Sequence, residues 1–148
     1  MKVALGCDHA GFELKDKLKR HLADTGVVVD DMGTNSTASV DYPDYAKLVG
    51  EEVVNRKADC GILVCGSGIG MSIAANKIHG IRAAHAHDEV EAQLSREHND
   101  ANVLALGARM LDEQSAFKIV DRWLATPFPG GERHKHRIEK IEALEELK

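Results

Sequence analysis

The chain has 148 residues, 43% of them hydrophobic and 29% charged, with a formal net charge of −5. This composition describes one globular domain over residues 1–148, large enough to bury its own core without disulfides or metal. The acidic balance argues against a general nucleic-acid binder, and the apolar runs are too short for a membrane helix. Three cysteines without a C-x-x-C pair, and no signal peptide, lead us to expect free thiols in a reducing cytoplasm.

The elements follow in chain order. "KVALG" is a short buried strand. "FELKDKLKRHLADTG" is a helix, with Phe12, Leu14, Leu18 and Leu22 near helical spacing and Gly26 as its stop. "VVVDDMG" is the second strand and "NSTASVD" a polar loop. "YPDYAKLVGEEVVNRK" is a helix with Tyr45, Leu48, Val49 and Val53 on one face. "CGILVC" is the third strand, and a glycine turn leads from it into a helix around "GMSIAANK". "GIRAAHA", "DEVEAQLSREH", "NVLALG" and "DEQSAFKIVDRWLAT" continue the alternation, and "PFPGGE" breaks it. Phe117 and Trp123 read as core. The final helix, "RHKHRIEKIEALEELK", carries a stripe of Ile138, Ile141, Leu144 and Leu147.

Strands that read as unbroken apolar runs belong in a sheet covered on both faces. The expected fold is therefore α/β: a three-layer sandwich around a five-stranded parallel sheet. The final helix has no strand to cover, so its stripe is expected to extend to a partner subunit. Sites in such sheets lie at the carboxyl ends of strands. "CDHAG", "DYPDY", "CGSGIG" and "GAR" fall there, whereas "EHND" lies elsewhere, between the fourth helix and the fifth strand.

The central question is "LVCGSGIGMSIAANK", where Cys65 is followed by Gly66, Gly68 and Gly70. A dinucleotide fingerprint fits only in part: Met71 stands at the third glycine, and Asp88 sits roughly where the ribose-binding acid belongs. A P-loop fails, because Asn76 precedes Lys77. The remaining functional reading is an anion cradle of bare amides beside a reactive thiol. If the anion is a transient oxyanion, each amide is worth roughly 3–4 kcal/mol in the transition state. The competing reading is a tight turn with an inert cysteine, which one glycine would satisfy.

Other candidates also have plain alternatives. Asp8 and His9 follow the first strand and suit a polyhydroxy ligand, although Asp is equally a helix cap. His98 suits proton transfer to a sugar oxygen; His98 and Asn99 are otherwise a surface helix end. Arg133 and Arg137 share a helix face and with Arg109 form a phosphate clamp, or a solvated basic face. His85 and His87 alternate on a strand without further metal ligands, and we read them, with Cys7 and Cys60, as structural.

"GCDHAG", "DYPDYA", "ILVCGSGIGMSIAANK", "GIRAA", "SREHNDANVLALGAR" and "GGERHKHR" together resemble the type B ribose-5-phosphate isomerases, essentially end to end. The superfamily also holds allose- and galactose-6-phosphate isomerases; the tail arginines favour the ribose type over the galactose type. The resemblance implies a Rossmann-like homo-oligomer with sites shared between subunits. It also implies a metal- and cofactor-independent aldose–ketose isomerase acting on a small phosphorylated sugar. By motif, Cys65 would be the base and His98 would assist ring opening. Amides across Gly66, Ser67, Gly68, Ile69 and Gly70 would hold the enediolate. Asp8, His9 and Asn99 would meet the sugar or phosphate, Tyr42 would line the pocket, and Arg109, Arg133 and Arg137 would hold the phosphate. Ser67 stands where many members have threonine and keeps a hydroxyl able to reach Cys65. Some members use a glutamate base instead; Cys65 together with Met71 indicates the cysteine branch. A hexose-6-phosphate isomerase, a non-catalytic sugar-phosphate or nucleotide-binding module and a thiol redox sensor are the alternatives.

Overall fold

The computed structural model describes residues 1–147. Strand and helix alternate through β1 (Lys2–Cys7), α1 (Phe12–Asp24), β2 (Val28–Asp31), α2 (Tyr42–Val54), β3 (Cys60–Cys65) and α3 (Ile69–Ala75). They continue through β4 (Ala83–His85), α4 (Glu89–Asn99), β5 (Val103–Gly107), α5 (Glu113–Ala125) and α6 (Glu132–Ala143), then a 3-10 turn over Leu144–Glu146. The strands pair in parallel in the order β2-β1-β3-β5-β4. No helix among the described residues is long and apolar enough to cross a membrane.

Period-two alternation divides the strand side chains between two cores. Val3, Leu5 and Cys7 of β1, Ile62 and Val64 of β3, and Leu104 and Leu106 of β5 meet α1, α4 and α5 on one face. Ala4, Leu63, Cys65, Val103 and Ala105 meet α2 and α3 on the other. Cys65 therefore points to the α2–α3 face and Cys7 to the opposite one. The chain leaves β1 for β2 on one side and returns to β3 on the other. The β1 and β3 loops consequently part at the sheet's switch point, which opens a crevice between them.

Three sequence expectations shift. Leu48 is exposed, because α2 buries Ala46, Val49, Gly50 and Val53 instead. Ala46 and Gly50 are small, and a Cβ on Gly50 would come 2.4 Å from the Ile78 side chain, so α2 sits close on that stripe and Leu48 falls on its flank. The fourth strand shortens to Ala83–His85, since Gly80 turns at φ +86° and the Arg82 N–H donates to the Asn102 side chain. On α6 the stripe divides: Ile138 is 8% exposed, whereas Leu147 beyond the helix is 74% exposed.

Beneath β1 and β2 lies a buried ionic cluster. Lys15 is 1% exposed and places Nζ 2.9 Å from Asp31 and 3.1 Å from Asp16. Burial disfavours the Lys15 charge, but hydrogen bonds to Asp31 and Asp16 more than offset it and raise its pKa above 10.5. Burial likewise opposes the Asp31 charge, yet Lys15, Lys19 and the Gly33 N–H hold its pKa below 3.8. Asp31 thus contributes stability that is present above pH 3.8 and is lost as pH falls through its lower folded value. Replacing Lys15 by Met should cost about 3 kcal/mol near neutral pH. Urea unfolding should show that deficit narrowing as the pH falls below the ordinary carboxylate range.

Candidate active site

β3 ends at Cys65, but its pairing with the β5 side continues. The Ala108 N–H donates to the Cys65 carbonyl at 2.8 Å and the Arg109 N–H to the Gly66 carbonyl at 2.9 Å. The chain then turns at Gly68, with φ +80°, a left-handed conformation that favours glycine. The turn folds back on the thiol: the Gly68 N–H donates to Cys65 Sγ at 3.2 Å. The Ser67 hydroxyl accepts from the Ile69 N–H at 3.2 Å, so in this structure it serves the loop rather than Cys65. The Gly66, Ser67 and Gly70 N–H groups make no turn or loop bond to a backbone carbonyl among the described residues.

Each of the three alternating glycines carries a side chain from elsewhere. A Cβ on Gly66 would come 3.0 Å from Arg109 Nη1, one on Gly68 2.6 Å from His85 Nε2, and one on Gly70 2.6 Å from Tyr42 Cζ. These contacts explain why a single glycine would not suffice. The loop must be bare where a guanidinium, an imidazole and a phenol ring press on it.

The loop forms one wall of a cleft of about 340 Å³ lined by Asp8, His9, Tyr42, Cys65, Gly66, Ser67, Gly70, Arg109 and Met110. Cys65 borders it although only 4% exposed. Asp8 is buried, and its Oδ1 accepts the Gly11 N–H at 3.0 Å, so it also builds the turn into α1. His9 Nδ1 accepts the Val40 N–H at 3.1 Å, which puts the ring proton on Nε2 as a donor. Tyr42 comes from the first turn of α2. Met110 is the lining residue the sequence did not mark; an ordinary methionine after "GAR" carries no local signal.

The remaining candidates lie elsewhere. α4 carries the chain from the carboxyl end of β4 back to the start of β5. Its last residues, His98 and Asn99, therefore sit at the amino-terminal ends of the strands, roughly 15 Å of strand away. There His98 stacks on His134 of α6, with ring centroids 4.5 Å apart and planes 12° apart. The pKa of His134 is lowered, first by desolvation and then by His98, Arg133 and Arg137. Asn99 lines a larger hollow, about 650 Å³, with Arg82, Ile141 and Leu144. A hollow of about 740 Å³ beside Cys60, Arg96 and Trp123 lies at the same end. Size does not identify the site: the glycine loop and its convergent polar groups are at the smaller cleft.

Several alternatives close. Asp88 accepts the Glu91 N–H at 2.8 Å and caps α4, so it is not placed as a ribose-binding acid. Burial pushes the thiols of Cys7 and Cys60 up to about 12, which makes both poor nucleophiles. Trp123 is buried, and Phe117 packs against the same core and stacks on His21 at 4.2 Å. The His85 and His87 rings lie 4.3 Å apart, and no group of three or more possible metal ligands occurs among the described residues.

Known proteins share this arrangement of fold and sequence. The Ribose/Galactose Isomerase family model matches residues 3–141. Ribose-5-phosphate isomerase B of Escherichia coli is 50% identical over 145 residues, covering 98% of this chain and 97% of that protein. A ribose-5-phosphate isomerase B structure from Clostridium thermocellum superposes with a TM-score of 0.96 at 48% identity, covering 98% and 97% of the two chains. One from Thermotoga maritima gives 0.94 at 53%, covering 96% and 97%. The TM-scores match the whole sandwich, and the identities extend over the same length. The chain belongs to the ribose/galactose isomerase family.

Proposed function

We propose that the chain interconverts D-ribose 5-phosphate and D-ribulose 5-phosphate through a cis-enediolate, in a site that a second copy of the chain completes. The observation that carries this reading is the placement of Cys65 Sγ beside a bare glycine loop, in one cleft with Asp8, His9 and Arg109. The names of the E. coli, C. thermocellum and T. maritima relatives support the choice of substrate.

The chemistry follows from the arrangement. In the cyclic sugar the bond between C1 and the ring oxygen must break. The ring oxygen takes a proton, assigned to His98, and the anomeric hydroxyl gives one up. Cys65 as thiolate then removes the proton from C2. The C–H electron pair becomes the C1–C2 double bond, and the carbonyl pair moves onto O1. Negative charge now rests on oxygen, where preorganised N–H donors act most strongly. Gly68 and Ile69 N–H are already engaged by the Cys65 sulfur and the Ser67 hydroxyl. We therefore assign the oxyanion first to Gly66, Ser67 and Gly70. Cys65 returns its proton to C1, and the O2 proton passes to O1, which yields the ketose. Asp8, His9, Tyr42 and Asn99 hold the hydroxyls. The phosphate falls to Arg109, Arg133 and Arg137, and its binding energy positions C2 against the sulfur.

Cys65 stands where the strands end and His98 where they begin, so one chain cannot bring them to one sugar. A second copy supplying His98, Asn99, Arg133 and Arg137 to this cleft resolves that separation. The exposed Ile141, Leu144 and Leu147, and Ile69 and Ile73 of α3, are apolar surface for such a partner to cover.

Ribose 5-phosphate incubated in heavy water should lose its C2 proton signal by NMR and form ribulose 5-phosphate. Cys65→Ala should still bind the sugar while both rates fall by about a thousandfold. An absence of exchange with the wild type, but turnover of a six-carbon phosphate, would move the substrate to the hexoses. Retained binding without turnover of either would leave a binding module.

Sharing of the site has its own test. Cys65→Ala and His98→Asn should each be inactive alone. Co-expressed with different tags, half the dimers should be mixed, each with one intact site, which restores about a quarter of the wild-type rate. Isolated mixed dimers without activity would place both residues in one chain's site and overturn the shared arrangement.

A further inference from the structure

His85 presses on the glycine loop from the end of β4. Its Nε2 would lie 2.6 Å from a Cβ on Gly68, so the ring occupies the space that a side chain there would fill. The ring also lies against the Ser67 backbone, a contact that favours its protonated form. Only a carbonyl acceptor does that, since an N–H donor would favour the unprotonated ring. The Ser67 carbonyl is turned the same way by packing: a Cβ on Gly107 of β5 would come 2.5 Å from that oxygen. β5 lies between β3 and β4 in the sheet, so the carbonyl faces the His85 side of the loop.

The Ser67 carbonyl and the Gly68 N–H belong to one peptide group. In a trans peptide they point in opposite directions, and no peptide among the described residues is cis. The carbonyl lies on the His85 side of the loop, and the N–H donates to Cys65 Sγ at 3.2 Å. A donor on the oxygen of an amide polarises the group and strengthens its N–H as a donor. A stronger N–H favours the sulfur with negative charge.

We propose that His85 is a positioning residue for Cys65, acting through the Ser67–Gly68 peptide to hold and polarise the N–H that supports the thiolate. The inference rests on the isomerase reading only for its kinetic consequence; its effect on the thiol needs no substrate. The ring acts as a neutral donor near neutral pH. Desolvation first, and then the nearby His87, keep its pKa below 6.5, against the opposing pull of the Ser67 contact and Glu91. His87 is itself 3.1 Å from the Glu91 carboxylate. Asp88, the other acid of this turn, is committed to the α4 cap.

The test uses His85→Leu, which removes the donor, and His85→Gln, whose amide can place a donor near the position of Nε2. The primary readout is iodoacetamide alkylation of Cys65 near neutral pH, followed peptide by peptide by mass spectrometry. Cys7 and Cys60 serve as slow internal references, since burial holds both thiols up at about 12. The Leu variant should alkylate Cys65 about fivefold more slowly and lose kcat by a similar factor, with KM within about twofold; Gln should return both to within about twofold of wild type. Ultraviolet thiolate absorbance against pH should shift upward for Leu and return for Gln. Unchanged alkylation in the Leu variant overturns the proposal. Equal losses in Leu and Gln also overturn it, because packing alone would then explain His85. A wild type that fails to isomerise ribose 5-phosphate, yet shows the alkylation pattern, removes the enzyme reading and leaves the relay standing.

Discussion

The turn after β3 has to fold its backbone onto a thiol while leaving N–H groups accessible from the cleft. The neighbouring elements follow from that demand. Two hydrogen bonds beyond the end of β3 fix the Cys65 and Gly66 carbonyls to the β5 side, so the strand cannot fray where the turn begins. The positive φ at Gly68 reverses the chain and brings its N–H to the sulfur. Side chains from three other elements then settle on the bare Cα positions: Tyr42 from α2, His85 from β4 and Arg109 after β5. The loop's geometry is thus determined from outside as well as by its own turn. A short loop that must present fixed donors needs this support, because a mobile one would lose the advantage of preorganisation.

Much of this was legible in the residues. The parallel sheet followed from unbroken apolar strands alternating with amphipathic helices, and the place to look for a candidate site followed from the rule that such sheets bind ligands beyond their carboxyl ends. "CDHAG", "DYPDY", "CGSGIG" and "GAR" all meet at one cleft because the β1 and β3 loops part there. The alternating glycines signalled close approach, but not by what. His85 was read as structural, and its packing on Gly68 arises only after the sheet order places β4 beside β5. No spacing in a linear sequence encodes that adjacency. The exposure of Leu48 was equally hidden, since it depends on how deeply Ala46 and Gly50 let α2 settle.

Position along the sheet also separates the candidates in a way the motifs do not. "REHNDAN" and "CGSGIG" read as parts of one site by resemblance, yet a parallel βαβ connection returns every helix to the far end before the next strand begins. His98 is therefore held at the end where strands start, and Cys65 at the end where they stop. A single sandwich of this topology can bring the two together only by pairing with another. On the proposed reading the stacked His98–His134 pair and the arginines of α6 form a prebuilt half-site that docks as a unit. The exposed part of the α6 stripe is then the surface that guides it, not a flaw in the core.

The choice of a thiol as the proposed base fits the same constraint. Cys65 is nearly fully buried, on the face shared with Leu63 and Met71. A carboxylate there would lose strong hydration and require a cationic partner to remain charged. A thiolate is larger and less tightly hydrated, and one N–H from its own turn is a proportionate partner. On the proposed reading, polarising that N–H from behind through the Ser67–Gly68 peptide supports the charged sulfur without placing a cation against Sγ. Support from behind the loop leaves the cleft free for the substrate.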